Sequence, residues 1–372
     1  MKVVVAIDSF KGSLSSLQAG NAVKDAVLGL DPTAQVVVKP LADGGEGTVD
    51  AFEDARAVAV TVTGPLYQPV TAKYCILPNG TAVMEMAAAA GITLVSPQAR
   101  NPMNTTTLGV GIMIGDAIRR GCRRFLIGIG GSATNDGGIG MLSALGYEFL
   151  DCSGKRVATC GKGLQDIVKI SADKVLPELA ECEFRIACDV ENPLCGATGC
   201  SAIYGPQKGA TPAMVAQMDG WLGRYAEIAK TVSEKADPLT PGVGAAGGLG
   251  FAFLSFANAE LKSGISLILE EIALENDIKD ADIVVTGEGR LDAQTVMGKA
   301  PIGVARLAKK YGKKVIAFSG CVTEEAEVCN DHGIDAFFPI LRKVTTLDQA
   351  LDTQNAYENL KKTATQVFRL LV

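Results

Sequence analysis

Short apolar runs recur along the chain, separated by longer stretches of mixed character. Residues 3–7 are apolar throughout, as a strand buried on both faces of a parallel sheet must be. Residues 35–39, 58–63, 125–127, 184–188, 282–286, 315–318 and 335–338 repeat the motif as further strands. Helical patterns lie between them. Ser15 reads as the N-cap of a helix to Leu30, residues 105–107 open one to Arg120, and Thr211 caps one to about Glu234. Further helices are expected over 48–56, 251–262, 303–311, 323–330 and 347–371. The alternation breaks after Gly64-Pro65, where 70–77 and 81–86 flank Pro78-Asn79-Gly80, a hairpin signal. A second hairpin is expected where 147–150 meet the turn at 151–155. Strict β/α alternation then returns toward the C-terminus. The two ends resemble each other and the middle differs. This predicts an α/β protein of two domains: one discontinuous, from residues 1–66 and 288–372, with a second α/β domain, 67–287, inserted.

The predicted strands repeatedly end in polar residues and glycines. In α/β sheets ligands meet the carboxyl ends of strands and anions meet the N–H groups of the loops there. The first strand runs into Asp8-Ser9-Phe10-Lys11, and the second into Asp43-Gly44-Gly45-Glu46. Asp43 and Glu46 have the oxygen chemistry that Mg²⁺ prefers, although capping the next helix is a competing use for Glu46. The strand at 125–127 leads into Gly128-Ile129-Gly130-Gly131-Ser132-Ala133-Thr134-Asn135-Asp136, an expected phosphate- or substrate-binding loop. Its glycines admit close approach of a ligand to the backbone, and Ser132, Thr134, Asn135 and Asp136 add polar tips. The strand at 184–188 is followed by Asp189. Lys208 lies in the loop 196–211 and is a candidate partner for a phosphate or carboxylate. Gly287-Glu288-Gly289-Arg290-Leu291-Asp292 follows the strand at 282–286, and residues 242–250 form a further glycine loop.

Composition narrows the chemistry. The formal charge of −6 and the scarcity of aromatics argue against nucleic acid as a partner, and no run of eighteen apolar residues predicts a membrane span. The ten cysteines form no C-x-x-C pair and, without a secretion signal, read as reduced thiols of a cytoplasmic protein. The single histidine, His332, sits in a polar helix-end setting and leaves no His-based triad or multi-His metal site. Catalysis is therefore expected from carboxylates, Lys, Arg, hydroxyls and backbone N–H groups. A P-loop and the protein-kinase signatures are both absent. Gly128-x-Gly130-x-x-Ala133, with Glu148 further on, is compatible with a dinucleotide fingerprint and keeps a nicotinamide oxidoreductase of a small 2-hydroxy acid in view. A catalytically silent small-acid-binding protein is a third possibility, against which the charged residues at the strand ends speak. Nothing in the sequence marks an oligomeric interface.

Taken together, DSFKGSL, ADGGEGT, GIGGSATNDGG, CDVENPL, GPQKGA, GEGRLD and GKAPIGVA resemble, in order, the bacterial class I glycerate kinases. The resemblance implies a flavodoxin-like topology for the discontinuous domain and an active site in the cleft between the two domains. It implies ATP-dependent, Mg²⁺-assisted phosphorylation of D-glycerate, usually at the 2-hydroxyl. Phosphoryl transfer depends on positioning and positive charge more than on covalent chemistry. Asp8, Asp43 and Asp292 are then expected to hold Mg²⁺ or orient the acceptor hydroxyl. Lys11, Lys208 and Arg290 are expected to neutralise phosphate or pair the substrate carboxylate, for which a planar Arg290 is best suited. Gly44, Gly45, Gly130, Gly131 and Glu288 complete the expected binding residues. Asp189 is the expected general base, with Asp8 and Asp292 as rivals; burial beside its strand would raise its pKa, and Lys11 or Mg²⁺ nearby would lower it. Which glycine loop receives ATP and which glycerate stays open at this level.

Overall fold

The structure is a computed structural model, and it describes residues 1–42, 47–52 and 55–371. Its strands, in chain order, are β1 (Lys2–Val5), β2 (Gln35–Val38), β3 (Arg56–Thr63), β4 (Pro69–Ile76), β5 (Thr81–Glu85), β6 (Arg124–Gly128), β7 (Glu148–Leu150), β8 (Lys169–Ser171), β9 (Glu183–Ala187), β10 (Ala259–Lys262), β11 (Ile283–Leu291), β12 (Lys314–Val322) and β13 (Ala336–Pro339). The chain divides into two compact units, Met1–Asp43 with Ile265–Val372, and Gly44–Gly264.

In the first unit every strand pairing is parallel, in the order β13-β12-β11-β1-β2. Counted within the unit this is 2-1-3-4-5, the flavodoxin-like order, whose switch point lies between β1 and β11. Val3, Val4 and Val5 are wholly buried, as their unbroken apolar run requires. One face of the sheet is covered by the helices Ser16–Leu30 and Thr353–Phe368, through Val23, Val27, Leu360 and Phe368. Ser15 and Gln18 close a reciprocal capping box at the start of the first helix. The helix Ala300–Lys309 packs on β11 and β12 and buries Ile302 and Val304.

The second unit holds a six-stranded sheet, β10-β9-β6-β5-β4-β3, and a small β7–β8 pair. β3, β4 and β5 are antiparallel, whereas β5, β6, β9 and β10 run parallel. Phe125 and Phe184 lie opposite each other on β6 and β9 with stacked rings 4.6 Å apart. The helix Leu108–Arg119 packs on this sheet through Val110, Met113 and Ile114.

Several boundaries differ from the sequence reading, each for a tertiary reason. The units divide at 43/44 and 264/265 rather than at 66/67 and 287/288. β3, read as the last strand of the first domain, pairs over its full length with β4 and so belongs to the second unit. β11, read as lying just outside the discontinuous domain, is the centre of that domain's sheet. Residues 251–262 were expected as one helix; the helix spans Ala245–Phe256, Asn258 turns the chain at φ 49°, and Ala259–Lys262 joins β9 as a strand. The turn expected at 151–155 forms, with Asp151 N–H donating to the Lys155 carbonyl at 2.8 Å and Leu150 bridging Arg156 antiparallel, but the strand that β7 pairs with in register is β8. The expected helix over 48–56 is a single 3₁₀ turn, Val49–Ala51, with residues 53–54 outside the described residues. The last helix is broken at Asp352, whose side chain accepts the Asn355 N–H and starts a new helix.

Candidate functional site

The carboxyl ends of β6 and β9 frame a cavity of about 400 Å³ in the second unit. Beyond β6 it is lined by Ile129, Gly130, Gly131 and Ser132; beyond β9 by Cys188, Asp189 and Val190. The loop after β6 is fixed to a neighbouring segment: Ile92 N–H donates to the Gly131 carbonyl at 2.8 Å and Ala133 N–H to the Ala90 carbonyl at 2.9 Å. Lys208 reaches the cavity from the 3₁₀ turn Pro206–Lys208 and is only 2% exposed. Its Nζ donates to Ser132 Oγ at 2.8 Å and to the Thr134 carbonyl at 2.7 Å. Among the described residues no carboxylate pairs with it, and burial pushes its pKa down to about 8. With two of three N–H donors used on neutral acceptors, the third is available to an anionic oxygen.

Not all of the loop faces this cavity. Thr134, Asn135 and Asp136 are wholly buried and do not line it. Asp136 Oδ2 accepts the Thr107 N–H and hydroxyl, each at 2.8 Å, and Oδ1 accepts the Gly138 N–H at 3.1 Å. Burial pushes the Asp136 carboxyl up, and these hydrogen bonds pull it back. Asp136 therefore ties the loop to the start of the helix Leu108–Arg119, and Asn135 Nδ2 bonds Ser201 Oγ at 2.9 Å. The second glycine loop packs against the same element: Gly137 N–H donates to the Gly247 carbonyl at 2.9 Å. Ala246, Gly247 and Gly248 form a left-handed turn with φ of 53°, 68° and 90°, and Ala246 lines the cavity. A non-glycine residue held at positive φ is strained, and such strain gathers at functional sites.

Asp189 is exposed rather than buried, with Oδ1 accepting the Gly264 N–H at 3.0 Å. Two residues beyond the end of β9, its side chain has left the apolar layer that encloses Ile186 and Ala187.

The first unit carries its own cavity, about 320 Å³, at the switch point of its sheet. It is lined by Asp8, Ser9 and Lys11 beyond β1, Glu288, Gly289 and Arg290 on β11, and Lys299. Asp8 is 8% exposed and accepts the Ser9 N–H at 2.6 Å. Glu288 Oε1 accepts the Thr295 hydroxyl at 2.8 Å. Asp292, expected as a metal ligand, does not line the cavity. Its Oδ1 accepts the Gln294 N–H at 2.9 Å, and its oxygens face Arg290 at 3.3 Å and Lys299 at 3.6 Å. Its nearest charged neighbours are thus the two cations Arg290 and Lys299. Asp43, Gly44 and Gly45 lie outside the described residues. Among the described residues no group of three or more His, Cys, Asp or Glu side chains forms a metal cage.

The structure thus gathers Gly130, Gly131, Ser132, Asp189 and Lys208 in one cavity, and Asp8, Lys11, Glu288 and Arg290 in the other. Sequence reasoning missed Tyr204, Gln207 and Ala246 in the first group and Ser9 and Lys299 in the second. Lys299 stands within GKAPIGVA and at a helix start, a signal that was present; Ala246 is marked only by its backbone. The dinucleotide alternative fails on geometry. Glu148 stands on β7, outside the sheet that carries β6, and pairs with Arg156 and Lys174, whereas the fingerprint needs its acidic residue on an adjacent parallel strand.

Glycine turns, fixed cations and strand-end carboxylates, with no P-loop, are the parts of a small-molecule phosphotransferase of the α/β class. The model of the glycerate kinase family matches residues 3–372, and the chain belongs to that family. It is 47% identical to a glycerate kinase of Haemophilus influenzae over 100% of this chain and 99% of that one. It is 46% identical to the glycerate 2-kinase of Escherichia coli strain K12, over 97% and 95% of the two chains. The crystal structure of a candidate glycerate kinase 2 from Salmonella typhimurium LT2 superposes with a TM-score of 0.92 at 44% identity, covering 100% of this chain and 98% of that one.

Proposed function

We propose that this protein transfers the γ-phosphoryl group of ATP to the 2-hydroxyl of D-glycerate, giving 2-phospho-D-glycerate and ADP. The observation that carries the reading is Lys208: a buried ammonium on neutral partners, facing a cavity whose wall also holds Gly130, Gly131 and Asp189. A cation fixed in this way neutralises an anionic oxygen without reorganising, which is what phosphoryl transfer requires. Asp189, open to the cavity, is the proposed general base that takes the proton of the attacking hydroxyl. Lys11 and Arg290, at the rim of the other cavity, neutralise further anionic oxygens, and the Arg290 fork suits a carboxylate. The backbone at Gly130 and Gly131 lets an anion approach closely.

The Mg²⁺ that accompanies ATP keeps several waters and takes one or two protein carboxylates. Asp8 and Glu288, the carboxylates lining the first unit's cavity, suit that donor set and would hold it. When bound, the ion offsets charge on the phosphate oxygens. The test is ADP release by the purified protein with ATP, Mg²⁺ and D-glycerate, against the same mixture without glycerate. Glycerate-dependent ADP release is expected. Its absence, or reduction of a nicotinamide by glycerate instead, overturns the reading.

A further inference from the structure

Lys299 has no role in the account so far, yet it is the most enclosed of the three cations at the first unit's cavity. Its side chain is 33% exposed, against 64% for Arg290. Its Nζ lies 3.7 Å from Glu288 Oε2 and 3.6 Å from Asp292 Oδ1. Both distances suit ion pairing and exceed a good N–H···O hydrogen bond. The ammonium therefore sits between two carboxylates with none of its three donors committed to a hydrogen bond among the described residues. Lys309 and Lys230 close such contacts to hydrogen bonds, at 2.6 Å to Asp335 and 2.8 Å to Glu227, whereas Lys361 and Lys362, each facing a single carboxylate on the surface, stop at 3.5 Å. Lys299 differs from both in standing between two carboxylates at a cavity.

The two carboxylates are themselves held in place. Thr295 donates its hydroxyl to Glu288 and accepts the Asp292 N–H, and Asp292 also receives the Gln294 N–H. The 3₁₀ turn Thr295–Met297 thus fixes both acids, and both acids fix Lys299 at the start of the helix Ala300–Lys309. The arrangement orients a cation while leaving its hydrogens free. A lysine present only to balance two acids would gain by closing one of these contacts to a hydrogen bond.

We propose that Lys299 is a catalytic residue of the glycerate kinase reaction, donating hydrogen bonds to an anionic oxygen of a ligand held at this cavity. The inference rests on the function proposed above. The anionic oxygen belongs to the carboxylate of glycerate or to a phosphate of the nucleotide, and kinetics separate the two. Lys299→Met keeps the length of the side chain and removes its charge; Lys299→Arg keeps the charge. In the full chain, Lys299→Met is expected to lower kcat/KM by about 10²–10³-fold, the loss typical of one donor to developing negative charge. A raised KM for D-glycerate with that for ATP unchanged marks the carboxylate, and the converse marks the phosphate. Lys299→Arg is expected to recover at least about a tenth of the lost activity. Melting of both variants reports folding separately, and the Arg variant keeps the question answerable should the Met variant unfold. Lys299→Met with kcat and both KM values within about twofold of the parent overturns the inference and leaves the function standing. So does a variant that lowers only the melting temperature. A parent chain that transfers no phosphoryl group overturns both.

Discussion

Lys208 couples function and stability in opposite directions with pH. Burial holds its pKa at about 8, below the ordinary 10.5 of the unfolded chain. Below pH 8 both states carry the proton and the fold bears the full cost of the buried charge. Between about 8 and 10.5 the unfolded chain holds a proton that the fold has released, so this group's contribution to stability rises with pH. Its value as a cation falls over the same range. The KM for its anionic ligand is therefore expected to climb above pH 8, and Lys208→Met to remove that limb while lowering kcat/KM by about 10²–10³-fold. A KM flat from pH 7 to 10 in the parent chain would count against Lys208 as the ligand's cation. Asp189→Asn preserves shape and removes the proposed base. Steady-state kinetics should show kcat lower by about 10²–10⁴-fold with the KM for ATP little changed. Near-normal turnover in that variant, with Asp8→Asn inactive, would move the base to Asp8.

Among the elements, the cavity of the second unit depends on two loops that brace each other. A Cβ on Gly247 would lie 2.1 Å from the Thr134 carbonyl oxygen, and its φ of 68° already disfavours any side chain. Gly247→Ala is expected to cost at least about 1 kcal/mol in denaturant unfolding and to displace Thr134, whose carbonyl holds Lys208. The affinity for the anionic ligand should fall with it; unchanged stability and affinity would show that the loops do not brace one another. This bracing was not legible in sequence, which marked both loops as glycine-rich but left their mutual contact to the fold. Asp136 illustrates the same limit. A polar residue in a glycine loop reads as a ligand contact, whereas the bonds to Thr107 that make it structural come from 29 residues away. Local signals fared better: the Ser15–Gln18 capping box, Thr211 as an N-cap and the β4–β5 hairpin around Pro78-Asn79-Gly80 all formed as read. Each is decided within a few residues of chain.

At the scale of the molecule, the alternation at both ends of the chain made the discontinuous parallel sheet legible, and the family resemblance supplied its flavodoxin-like order. The exact division was not, because β3 and β11 look alike as apolar runs and only their partners assign them to different units. β10 escaped notice for a related reason: Ala259–Lys262 has no apolar run and becomes a strand by pairing with β9. Strand-end chemistry was the most legible part of the candidate sites, since an acid or lysine just past a buried strand marks the ligand edge of an α/β sheet wherever the domain boundary falls. The central claim is the transfer of phosphate to one particular hydroxyl, and its product can be read directly. The purified chain, supplied with ATP, Mg²⁺, D-glycerate and enolase but no phosphoglycerate mutase, is predicted to yield phosphoenolpyruvate in step with ADP. ADP that appears with phosphoenolpyruvate only after a mutase is added would place the phosphate on the 3-hydroxyl, and no ADP at all would contradict the kinase itself.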